Sequence, residues 1–178
     1  MWGFRRHAVT PDIVTMGKAM GNGFPIGAVA TRPEILASFC REVGYFNTYA
    51  GSPVAAAVGQ AVLDVIEQEG LMQNAASVGA HLQRELASLA TRYQAIGEVR
   101  GAGLYIGVQV RNATGSPAPA LARTIINGLR EHRVLIGAAG KDGSILKLRP
   151  PLCFSTVHAD RLVAALDEVL ASLPGVPA

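Results

Sequence analysis

Lysine is scarce in this 178-residue chain: only Lys18, Lys141 and Lys147 occur, against a much larger number of arginines. A solvated surface ordinarily uses both types, so each lysine invites a chemical explanation. Lys18 sits in "TMGKAMGNGFPIG" (15–27), between a strand-like run and a loop with three glycines and a proline. Three chemistries place a lysine beside glycines. A phosphate-binding P-loop is excluded, because "GKA" lacks the hydroxyl residue after the lysine and the upstream glycine. A dinucleotide fingerprint is suggested only by "GAGLYIG" (101–107), where Ile106 takes the place of the third glycine and a strand follows instead of a helix. The third is a Schiff base: an amine held in an irregular, partly desolvated loop becomes a nucleophile toward an aldehyde. Gly17, Ala19, Gly21 and Gly23 would let a flat cofactor approach the backbone closely. The residues alone leave a plain turn lysine as the alternative.

A second pair is Lys147 and Arg149 in "LKLRPP". Two apart in a strand, they share one face while Leu146 and Leu148 take the other. Two cations on one face suit an anion; a solvated strand edge is the other reading. Cys40 and Cys153 are too few for a disulfide framework and lack metal-ligand spacing, and His7, His81, His132 and His158 are dispersed, so no metal site is expected.

The elements that must position these groups follow from periodicity. "DIVTM" (12–16) and "IGAVAT" (26–31) are β-rich runs joined by the lysine loop. "TRPE" (31–34) has the form of a capping box opening a short helix through about Phe39. Ser52–Pro53 starts a helix to about residue 69, with Gly70 as its stop, and a third carries Leu71, Val78, Leu82, Leu86 and Leu89. The period then changes to two, with Leu104, Ile106, Val108 and Val110 on one strand face. A loop (111–119), a helix marked by Leu121, Ile125 and Leu129, and two strands, "VLIGAA" and "SILKLRP", follow, the strands joined through "GKDG". A last helix spans roughly 156–173. The order divides the chain into the end of an open α/β sheet (1–52), a connecting helix (53–70) and a small α+β domain (71–178).

Composition bounds the partners. The chain is 49% hydrophobic and 16% charged, which leaves apolar surface for a partner to cover, so an oligomer is expected. The net charge is +3, but the arginines are scattered and no basic stripe interleaves with aromatics, so nucleic-acid binding is not expected. No apolar h-region follows the early arginines, and no run reaches the ~20 apolar residues of a membrane helix. A reducing, cytoplasmic location is the default expectation.

The segment "TPDIVTMGKAMGNGFPIGAV" resembles the lysine segment of the class-III aminotransferases, fold-type-I enzymes that use pyridoxal 5′-phosphate. "FNTYAGSPVAAAV", "VRGAGLYIGV" and "LKLRPPLCFS" match further stretches in the same order, and "GNGFP" with "LKLRPPLCF" resembles the branch that holds ethanolamine-phosphate phospho-lyase and alanine–glyoxylate aminotransferase relatives. The resemblance implies an α/β fold made of the C-terminal part of the large cofactor-binding domain plus the small domain. It implies that Lys18 forms the Schiff base with the cofactor and serves as the proton-transfer base. Thr48 would reach the cofactor phosphate of the neighbouring subunit in a homodimer. Ala50 and Ser52 stand where the family commonly has glycine and asparagine. Lys147 stands where many members keep an arginine for the substrate carboxylate, and lysine cannot offer that bidentate fork. Lys147 with Arg149 therefore favours a phosphorylated amine over a simple amino acid. Arg100 is expected to be structural, and His7 and Asp12 to have no chemical role.

The implied reaction moves an amino group from a primary amine or amino acid to a 2-oxo acid. The alternatives are phosphate elimination from a phosphorylated amine such as ethanolamine phosphate, and a non-catalytic fragment. By the same resemblance the chain starts just after the aspartate that pairs with the pyridine nitrogen. The glycine-rich phosphate loop and the stacking aromatic are expected further upstream.

Overall fold

The computed structural model describes residues 1–173, so the last five residues of the 71–178 segment lie outside the described residues. The chain forms two compact units, Met1–Gly70 and Leu71–Ala178.

In the first unit a one-turn 3-10 helix (Gly3–His7) precedes β1 (Ile13–Met16), which pairs antiparallel with β2 (Ala28–Thr31). Between them Lys18–Gly21 forms another 3-10 turn, against which α2 (Pro53–Gln68) packs. Gly21 is required here, because a Cβ would stand 2.6 Å from Ile26 Cγ2. The short helix α1 (Pro33–Glu42) begins one residue later than a Thr31 cap requires. The Thr31 hydroxyl instead donates to the Asp12 carbonyl at 3.0 Å, and Arg32, the residue at the cap, pairs with Asp12 at 2.8 Å and Glu34 at 3.2 Å. The strand thus claims the hydroxyl that the helix would have used. α2 is capped by Ser52, whose hydroxyl accepts from Ala55 N, and stops at Gly70 in the left-handed region, as its sequence predicts.

No hydrophobic side chain of this unit is buried. Val29, Tyr45, Phe46, Tyr49 and Val54 are all exposed, Phe46 and Tyr49 at 85% and 87%. The surplus apolar surface that composition predicts is therefore concentrated in the first 70 residues.

The second unit holds the core. Its sheet has the order β3-β4-β6-β5, with β3 (Ile96–Ala102), β4 (Tyr105–Val110), β5 (Gly137–Ala139) and β6 (Ile145–Leu148) all antiparallel to their neighbours. Ile106, Val108, Val110, Leu146 and Leu148 share one face and pack with Val78, Leu82, Leu86 and Leu89 of α3 (Leu71–Arg92), Ile125 and Leu129 of α4 (Pro119–Glu131), and Leu162, Leu166 and Leu170 of α5 (Thr156–Ser172). Burying a side chain of this size stabilises by about 1.5–3 kcal/mol relative to leaving it in water.

Strand β3 is not foreseen by periodicity, because glycines and charges interrupt it: only Ile96 is buried, and a register shift separates Ile96 from Val99. "GAGLYIG" is a hairpin, with Gly103 at φ +52 opening a two-residue turn between Ala102 and Tyr105. β5 is shorter than "VLIGAA", because Val134 N still bonds Leu129 O to close α4. The "GKDG" turn joins β5 and β6 as expected, with Asp142 accepting from the Ser144 amide and hydroxyl at 3.0 and 2.7 Å.

Helix α3 and the β3–β4 turn meet backbone to backbone. A Cβ on Gly79 would lie 2.2 Å from the Gly103 carbonyl oxygen. In an open helix Gly→Ala stabilises by about 0.5–1 kcal/mol. Gly79→Ala should do the opposite and cost about 1–3 kcal/mol of overpacking, read by urea unfolding.

Helix α5 is tied to α3 by charge. Arg92 donates both guanidinium nitrogens to Asp167 at 2.9 Å each, and the Tyr93 hydroxyl donates to the same carboxylate. Hydrogen bonds from Arg92 and then Tyr93 hold the Asp167 carboxyl below the usual carboxylate range. A depressed carboxyl contributes stability above its unfolded pKa of about 3.9. That contribution is lost as pH falls through the lower folded value. Asp167→Asn should therefore lower the melting temperature at pH 7 and make progressively less difference as pH falls below about 4, followed by circular dichroism.

Candidate active site

Lys18 opens the 3-10 turn with φ +51, and Gly17 before it is fully extended. The other non-glycine residues with positive φ all close a helix or follow its end: Ala8 and Asn22 cap 3-10 turns, and Arg133 follows α4. Lys18 alone begins one, so helix termination does not account for its strain. Its amine is exposed and takes part in no hydrogen bond or ion pair among the described residues. The first unit's own residues do not supply the desolvation that the sequence argument asks for. The structure does supply an unengaged primary amine on a held, unusual backbone, with nothing within 4 Å of a Cβ built on Gly17.

Thr48 lies in the exposed turn before α2, where Asn47 accepts from the Tyr49 amide at 2.9 Å and the Ala50 amide bonds the Asn47 carbonyl. Asn47 thereby shapes the turn and leaves the Thr48 hydroxyl free of partners among the described residues. A free amine and a free hydroxyl near a helix start suit an aldehyde and a phosphate, so these residues fit pyridoxal phosphate.

Lys147 and Arg149 belong to the second unit. Leu146 and Leu148 are buried, and Lys147 projects from the opposite face of β6, as period two requires. Its cross-strand neighbours are Gly107 on β4 and Gly137 on β5. The lysine leans over Gly137, where a Cβ would stand 3.4 Å from its Cε, while over Gly107 a Cβ would meet Ile145 Cγ2 at 3.1 Å. Arg149 lies just beyond the strand, and both cations line a cavity of about 540 Å³. Arg100 is level with Lys147 across the sheet, two strands away, and is paired with Glu98 at 3.2 Å.

Several contributors lie outside the motifs. Asn74 on α3 donates to the carbonyls of Leu152 and Phe154 at 2.7 and 2.9 Å, which pins "PPLCF" where it leaves Arg149. Arg133 and Arg161 line the same cavity as Lys147. Neither is visible in local spacing, because the topology brings them together. Asp12 is paired with Arg32 at 2.8 Å and makes no bond to His7. Among the described residues no cluster of three metal-ligating side chains exists.

Comparison with known proteins places this geometry. The family profile for Aminotransferase class-III matches residues 1–170. The chain is 46% identical to alanine–glyoxylate aminotransferase 2 homolog 2 (mitochondrial) of Arabidopsis thaliana, over 97% of this chain and 36% of that protein. It is also 46% identical to ethanolamine-phosphate phospho-lyase homolog 1 of Caenorhabditis elegans, over 90% of this chain and 35% of that protein.

Among solved structures, a phospholyase from Arthrobacter in complex with phosphoethanolamine superposes with a TM-score of 0.93 at 46% identity, covering 98% of this chain and 42% of that one. A PLP-bound amine transaminase from an uncultivated Pseudomonas species superposes at 0.81 with 35% identity, covering 94% and 40%. The chain thus spans well under half the length of the proteins it matches. The fold is that of the fold-type-I transferases, and the cofactor the family implies is pyridoxal phosphate. The chain belongs to the class-III aminotransferase family.

Proposed function

We propose that this chain supplies the reactive lysine and the substrate-anion residues of a pyridoxal-phosphate enzyme that transfers an amino group from a primary amine or amino acid to a 2-oxo acid. The observation that carries the reading is Lys18: an unengaged amine on a backbone with φ +51, in a segment matched by the family profile. Lys18 Nζ would hold the cofactor through its aldehyde carbon. When not so engaged, the same amine would remove the proton from the carbon that bears the substrate's amino group. Bound pyridoxal phosphate supplies the electron sink for that deprotonation. Thr48 would donate its hydroxyl to a phosphate oxygen, and the proposed assembly is a homodimer in which it serves the neighbouring subunit's site. The exposed, unpaired Cys40 and Cys153 suit a reducing compartment such as the cytoplasm, where we place the protein.

Lys147 and Arg149 hold the substrate's anionic end. A lysine here favours a second reading, elimination of phosphate from a phosphorylated amine, because a compact ammonium gains least from a planar carboxylate. In that reading Lys18 removes the same proton and phosphate leaves from the neighbouring carbon. Inorganic phosphate release, measured beside oxo-acid turnover across a panel of amines, separates the two.

The lysine assignment is tested by incubating the chain with pyridoxal phosphate, reducing with borohydride and mapping peptides. The pyridoxyl group is expected on Lys18 and absent from Lys18→Ala, and label on Lys141 or Lys147 instead would overturn the assignment. In turnover by the protein that carries this chain, Lys18→Ala should cost at least about 10²–10⁴-fold, the contribution of a positioned acid–base group alone. The exposed apolar side chains of the first unit should make the chain sediment as a dimer or larger, and a concentration-independent monomer would count against the homodimer.

A further inference from the structure

Four cations line the cavity at the end of the second unit's sheet: Arg133 from the α4–β5 turn, Lys147 and Arg149 from the end of β6, and Arg161 from α5. None of the four has an ion-pair partner among the described residues, and no carboxylate lines the cavity. The acids of α5 are committed elsewhere: Asp160 to His81, Asp167 to Arg92 and Glu168 to His132. Uncompensated charge of one sign around a concavity concentrates counter-ions there.

The backbone gives an independent indication. Arg133 takes φ +59 just after α4, with its amide on Arg130 O and the next amide on Leu129 O. Glycine is the residue that fits this position with least strain. An arginine kept there despite the strain points to a use for its side chain.

We propose that Arg133 and Arg161 join Lys147 and Arg149 in binding the phosphate monoester of the substrate, and that together they select it over a carboxylate. This rests on the reading of Lys147 and Arg149 as the substrate's anion site. A phosphate monoester carries close to two negative charges at neutral pH and three acceptor oxygens, and a guanidinium engages two such oxygens at once. A carboxylate brings one charge and leaves most of the cluster uncompensated.

Calorimetric titration of the full 178-residue chain at low salt tests this, with O-phosphoethanolamine, inorganic phosphate, pyridoxal phosphate and β-alanine as probes. Phosphoethanolamine should bind more tightly than β-alanine. Arg161→Gln and Arg133→Gly should each weaken it by about tenfold, the loss of one charge-assisted hydrogen bond. Arg133→Gly also relieves the backbone, so weaker binding in a variant that melts higher cannot be ascribed to unfolding.

Competition by inorganic phosphate would support the phosphate as the group held. Unchanged binding in both arginine variants, with loss in Lys147→Ala, overturns this inference and leaves the Lys147–Arg149 reading standing. Binding unaffected by any of these variants, or absent, overturns both. Equal affinity for β-alanine overturns the choice of phosphate. Tighter binding of pyridoxal phosphate that depends on Arg133 and Arg161 assigns the cavity to the cofactor and overturns the substrate assignment.

Discussion

The burial of Leu146 and Leu148 governs where this protein can present charge. Both are almost fully enclosed against α4, α5 and the inward face of β4, and together they fix the register of a four-residue strand. Slipping that strand by one residue would expose two leucines and drive Lys147 into the core, which is prohibitive for an unpaired ammonium. The lysine is therefore held outward by its neighbours' hydrophobicity and by no hydrogen bond or ion pair of its own among the described residues. Glycine at position 137 on β5 leaves room for its stem, while Ile145 fills the space over Gly107. Asn74 extends the control past the strand by holding the two carbonyls that follow the prolines.

The first unit is organised by a different principle. Without a buried hydrophobic side chain it depends on short-range bonds: the β1–β2 ladder, Thr31 on Asp12, Ser52 on Ala55 and the close fit of Gly21 under Ile26. Its helix α2 is apolar along most of its length and still has no buried residue. Such a unit gains its remaining stability from whatever covers it, so Lys18 is held by local backbone geometry whereas Lys147 is held by a packed core.

Legibility in the sequence follows this division. Long amphipathic helices and the alternating strand β4 announce themselves, because each buries one stripe or face and period reports burial directly. The outward face of Lys147 is legible for the same reason, whereas Arg149 lies one residue past the strand, where period two no longer applies. β3 is not, since Gly97, Glu98, Arg100 and Gly101 replace alternation in an edge strand that buries only Ile96. The start of α1 is not legible either, because a local motif cannot show that Thr31 is already engaged by residue 12. Arg133 and Arg161 escape any reading by spacing, because they are 28 residues apart in the chain and meet Lys147 only through the order β4-β6-β5 and the packing of α5.

The two cationic residues at positive φ show how strain separates structural from chemical roles. A non-glycine residue in the left-handed region costs roughly 1–2 kcal/mol, a sizeable part of the 5–15 kcal/mol that holds a domain together. At Asn22 the cost is small, since asparagine is one of the few side chains suited to that region, and the residue ends a turn. At Arg133 the backbone position is an ordinary helix stop, so the geometry is structural and only the residue type is unusual. At Lys18 both the residue type and the place are unusual, because the residue begins a turn and could be spared the strain by a simple strand exit. Chain geometry therefore explains Arg133 as far as its side chain and leaves Lys18 unexplained altogether. For Lys18 the side chain is what remains to account for the cost: an exposed amine that no described residue engages.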